Sequence, residues 1–133
     1  MFKLDLSPTY SLPVTVQVRG ASGEIKPETF RAEFLRMGPE EFDAYQQSMR
    51  EQNLTDADIA THVLRGWHDM VDGTGAAVPF DAAHLDALLR GVTGAAAALA
   101  RTWIESVLEE VRKNLLPPPA TGPAATVAPT LIE

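Results

Sequence analysis

The chain predicts an α+β fold: a small antiparallel sheet of about three strands packed with about four α-helices. Three observations carry that expectation. Apolar and polar residues alternate with period two in three runs, 2–6, 14–19 and 30–34, helical spacing replaces that alternation after Gly38, and the last residues turn rich in Pro and Ala. With 133 residues, 45% of them hydrophobic, the chain is long enough for one modest core. The expected organisation is a single domain over 1–115 and a flexible Pro-rich tail over 116–133.

The strands come first. Phe2-Lys3-Leu4-Asp5-Leu6 and Val14-Thr15-Val16-Gln17-Val18-Arg19 each place apolar side chains on one face. A third alternating run, Phe30-Arg31-Ala32-Glu33-Phe34, follows the turn-rich Gly20-Ala21-Ser22-Gly23. Segments 14–19 and 25–36 are therefore expected to pair as a hairpin.

The helices follow. Pro39 suits a first helical turn, Glu40, Glu41 and Asp43 complement the positive end of the helix dipole, and Phe42, Tyr45 and Met49 share a face, which predicts a helix over 39–52. Thr55 and Asp58 have the spacing of a capping box, and Ile59, Val63 and Trp67 then recur at helical intervals, so a second helix is expected to end near Gly66 or Trp67. Asp81 is placed to cap a short helix with a Leu85, Leu88, Leu89 stripe that Gly91 would close.

The longest helix is expected over 94–115. Ala96, Leu99, Ala100, Trp103, Ile104, Val107, Leu108, Val111 and Leu115 form one broad apolar face, opposite Arg101, Glu105, Glu109 and Lys113. At ~25 cal/mol per Å², part of such a face left exposed would favour association by several kcal/mol before entropic costs. Leu99, Trp103, Val107 and Val111 are thus a candidate partner or oligomer surface, with burial against the sheet as the alternative.

Composition limits function. The 18 acidic and 11 basic side chains give a net charge of -7 with no Lys/Arg cluster, which argues against nucleic acid as a partner. The absence of Cys removes thiolate metal sites and cysteine nucleophiles and suits a reducing compartment. No stretch approaches the ~20 apolar residues of a membrane span, and Met1 to Pro13 lacks the apolar run of a signal peptide.

Chemistry is densest in Gly66-Trp67-His68-Asp69-Met70-Val71-Asp72-Gly73-Thr74-Gly75, which leads through Val78 to Phe80. His62, His68 and His84 lack the four-residue spacing that brings two ligands to one helical face. Asp69, Asp72, Gly73 and Gly75 lack the alternating acids and the late Glu of an EF-hand. Gly73-Thr74-Gly75 is followed neither by a third Gly opening a helix nor by Gly-Lys-Thr. The stretch reads as a tight polar turn between apolar anchors, and neither a cofactor nor a metal is expected.

Taken in order, FKLDLSPTYSLPVTVQV, TFRAEFLRM and above all GWHDMVDGTGAAVPFDAAHLDALL resemble the tail assembly chaperone family of long-tailed phages and prophages. In that family a "GW…V.D..G..VPF" segment leads into a short Leu-rich helix. The resemblance spans about residues 1–112 and places Trp67, Val71, Gly75, Val78 and Phe80 on the motif as structural anchors. It implies an α+β, non-enzymatic protein of the host cytoplasm that oligomerises, coats the tape measure protein and helps recruit tail tube subunits, in some members through a frameshifted longer form. Such a protein would be absent from the mature virion. The alternatives are a structural tail component that stays in the particle and a small metal-dependent hydrolase using His62, His68, Asp69 or Asp72.

Overall fold

The computed structural model describes residues 1–115; the expected tail, 116–133, lies outside the described residues. Strand β1 (Thr9–Arg19) pairs antiparallel with β2 (Ile25–Leu35), and both precede α1 (Pro39–Glu51) and α2 (Asp56–Val63). Strand β3 (Leu64–His68) then completes a three-stranded antiparallel sheet in the order β1-β2-β3. Helices α3 (Ala82–Gly91) and α4 (Ala95–Leu115) follow. The α+β class and the number of strands and helices are as the periodicities predict.

Two of the three expected strands are present and one is elsewhere. Register in the hairpin runs from Thr9 opposite Leu35 to Arg19 opposite Ile25. Phe2 to Leu6 forms no strand, and its side chains are exposed. Alternation states what a strand would bury, but a strand also needs a neighbour to accept its main-chain hydrogen bonds. The chain reaches the sheet only at its end, where Arg36 N–H donates to the Pro8 carbonyl (2.9 Å) and Arg36 Nε to that of Ser7 (2.8 Å).

The third strand is cut from what was expected to be the end of the second helix. Helix α2 stops at Val63, and Leu64 turns to an extended conformation (φ −83°, ψ 124°). Leu64 and Trp67 are three apart, a spacing that fits a helical face and in a regular strand would send them to opposite sides. A register shift opposite Glu33 and Phe34 resolves the conflict, so that Leu64 and Trp67 are both buried. Trp67 is therefore a strand residue.

The local signals at helix starts are realised. Thr55 and Asp58 form the reciprocal capping box, and the Asp81 carboxylate accepts from His84 N–H at 2.8 Å. Gly91 is the last residue of α3, but the left-handed turn comes three residues later, at Gly94 with φ +89°. There a side chain would be strained, and the chain reverses into α4.

The core lies between one face of the sheet and α4. Val14, Val16, Phe30, Ala32 and Phe34 point from the hairpin onto Leu99, Trp103 and Val107, while Ile59, Ala60 and Val63 close the side from α2. Trp103 is buried at the centre. Its ring meets the edges of Phe42 and Tyr45 at centroid distances of 5.7 and 5.8 Å, and its Nε1 donates to the Leu35 carbonyl at 3.1 Å. That last bond satisfies the indole's one polar atom, without which burial would be costly. Ser106 Oγ donates to the Trp103 carbonyl at 2.7 Å and so is left to accept from Tyr10 Oη, also at 2.7 Å. Helix α4 runs antiparallel to β1: Ser106 lies beside Tyr10 near the start of the strand, and Val92 and Thr93, just before the helix, lie beside Val18 and Arg19 at its end. No helix among the described residues is long and apolar enough to cross a membrane.

Candidate functional site

The chemically dense stretch folds as a small hairpin hung from β3. Val78 N–H donates to the Met70 carbonyl (2.9 Å), Val71 and Ala77 form an isolated bridge, and Asp72 N–H donates to the Ala76 carbonyl (2.9 Å). Gly75, at φ +87°, supplies the left-handed residue that the reversal needs.

Asp72 organises the turn. Its Oδ1 accepts from Thr74 N–H at 2.8 Å, Thr74 Oγ1 at 2.6 Å and Ala76 N–H at 3.1 Å. These bonds, led by the Thr74 hydroxyl, hold its carboxyl below the ordinary value of 3.8. That oxygen is occupied by the loop itself. Asp69 adopts φ 64°, so it too serves the path of the chain.

The histidines are dispersed. His62 stacks on the Tyr45 ring at 4.8 Å, His68 Nε2 lies 4.0 Å from Glu33 Oε2, and His84 Nδ1 lies 2.8 Å from Asp81 Oδ1. The Asp81 carboxyl is lowered, first by the His84 main-chain N–H and then by the His84 ring. Among the described residues no group of three or more His, Asp or Glu side chains is placed to hold a metal ion.

Of the motif residues, three anchor the loop. Trp67 Nε1 donates to the Val78 carbonyl at 2.8 Å, and its ring meets Phe80 edge to face at 4.8 Å and Phe30 at 6.4 Å. Trp67, Val78 and Phe80 thus fasten β3 and the hairpin to the start of α3. Val71 departs from the expected role: it is 60% exposed. It points away from the anchor because only its main chain is used, in the bridge to Ala77.

That exposed valine borders an apolar groove. Val16, Val18 and Phe30 of the sheet form its floor, Met70 and Val71 of the loop one wall, and Leu88 and Val92 of the α3 end the other, enclosing about 350 Å³. Glu28 and Asp69 stand at its rim. The groove lies beyond the end of β3, which pairs only with Arg31 to Phe34, between the loop that follows that strand and the end of α3. Sequence reasoning missed it. Val16 and Val18 signal an inward face, but how far the covering helices reach along that face is a tertiary property.

The face expected on α4 divides. Leu99, Trp103 and Val107 are buried in the core and offer no surface to a partner, which corrects their reading as a candidate interface. They lie on the side that covers the sheet, the alternative use of an apolar helical face. Val111 is 47% exposed, together with Leu108 at 41% and Leu115 at 79%. Comparison with protein-family models, with curated proteins and with solved structures found no match.

Proposed function

We propose that the chain is a non-enzymatic tail assembly chaperone of the long-tailed phage type, working in the bacterial cytoplasm. On this reading it self-associates, keeps the tape measure protein soluble and helps bring tail tube subunits to it. The observation that carries the reading is the apolar groove over Val16, Val18 and Phe30, walled by Val71 and Val92. Concave apolar surface of this kind takes one side of an amphipathic helix, and a tape measure protein is a long helical client. The chain's net charge of -7 keeps such a surface soluble while the client is absent. The motif loop supports the reading structurally, since Trp67 and Val78 hold the wall that carries Val71.

Co-expression of the full chain with the tape measure protein encoded beside it, followed by pull-down, is the test. Co-purification is expected, with capture falling at least several-fold for Val71→Glu, whose exposed position leaves the fold intact. A client equally soluble and uncaptured with or without the chain would overturn the reading, as would the chain's presence in stoichiometric amount in purified virions.

A further inference from the structure

Every residue of α4 from 108 to 115 is exposed, although Leu108, Glu109, Arg112 and Lys113 still border the start of β1 at Tyr10 to Pro13. Ile104, Leu108, Val111 and Leu115 follow one another at intervals of four, three and four residues. That is the spacing of a coiled-coil seam, and it lies to one side of the buried Leu99, Trp103 and Val107 stripe. Ile104 packs partly against the core, and the other three are the exposed members.

We propose that this seam pairs with the same seam of a second copy, the two helices antiparallel about a two-fold axis between Leu108 and Val111. Charge complementarity selects the occupant and its direction. Glu105 and Arg112 flank the seam on one side, seven residues apart, and neither joins an ion pair within the chain among the described residues. The other flank, Ala100 and Val107, is buried in the domain. In an antiparallel pair the same flanks meet, and Glu105 of each copy faces Arg112 of the other, twice by symmetry. In a parallel pair Glu105 would face the buried flank of the second copy and find no cation.

The inference concerns only the self-association within the chaperone reading and stands on α4 alone. Client capture by a strictly monomeric chain would sink it and leave the chaperone; a seam dimer that captures no client would do the reverse.

Sedimentation equilibrium of the full chain is expected to show a concentration-dependent dimer. Leu108→Glu should leave a monomer with an unchanged circular dichroism spectrum. Glu105→Arg and Arg112→Glu should each weaken the dimer several-fold, and the double variant should recover it. Because the chain has no Cys, direction can be read separately: Glu105→Cys mixed with Arg112→Cys should give a disulfide-linked heterodimer on mild oxidation, in excess of either alone. A chain monomeric at several hundred micromolar, a dimer indifferent to Leu108→Glu, or a crosslink favouring either single variant would overturn the proposal.

Discussion

Trp67 Nε1 donates a 2.8 Å hydrogen bond to the main-chain carbonyl of Val78, eleven residues on, tying the last strand to the returning limb of its loop. The loop's shape, and with it one wall of the groove, hangs on this contact between a side chain and a backbone group.

Trp67→Phe keeps most of the apolar packing against Phe30 and Phe80 but removes the donor. A cost of about 1 kcal/mol in urea unfolding is expected, with faster amide exchange of Val78 and its neighbours. Trp67→Ala, which also opens a cavity, should cost about 3–5 kcal/mol. Unchanged exchange in the Phe variant would show that packing alone holds the loop.

Leu99 and Leu108 should part company on substitution with Glu. Leu99 is fully buried between sheet and helix, and a carboxylate there has no partner, so Leu99→Glu is expected to unfold the domain; Leu99→Ala should cost about 2–5 kcal/mol. Leu108→Glu should change thermal stability little. Melting curves followed by circular dichroism decide between this division and a single exposed face.

Tyr45 Oη is buried without a hydrogen-bond partner among the described residues. Burial, with Asp58 nearby as a smaller cause, raises the pKa of the phenol above its ordinary value of 10.0. An orphaned hydroxyl is destabilising, so Tyr45→Phe should be neutral or stabilising by up to about 1 kcal/mol, with the His62 and Trp103 ring contacts retained. A clear loss of stability would show that the hydroxyl is satisfied in solution.

Acid should loosen the loop and the α3 cap together. Hydrogen bonds lower the folded-state pKa of Asp72 and Asp81 below the unfolded value of 3.8. The stabilisation they bring is therefore complete above that value and is lost as pH falls through the lower folded one. Between pH 6 and pH 3, the melting temperature of the native chain should fall more steeply below about pH 4 than that of Asp72→Ala/Asp81→Ala. Parallel profiles would mean that neither carboxylate is bonded as described.

Local chemistry was legible in the sequence where a residue acts on its near neighbours. The hairpin over 14–19 and 25–36, the Thr55–Asp58 box, the Asp81 cap and the Gly75 turn each depend on contacts within a few positions, so residue type and spacing were enough. The same holds for the α+β class, since periods of two and 3.6 reflect backbone geometry.

Tertiary structure decided everything that depends on a distant partner. Phe2 to Leu6 alternates as well as β1 does, yet no neighbour among the described residues offers it a ladder. Trp67 and Leu64 look helical until the register shift beside Glu33 and Phe34 places both inside a strand. Leu99 and Leu108 are both apolar residues of one amphipathic helix, and only the reach of the sheet beneath α4 makes one core and the other surface. Periodicity gives the direction of a side chain about its own axis; whether another element stands in that direction is a matter of how the whole chain packs.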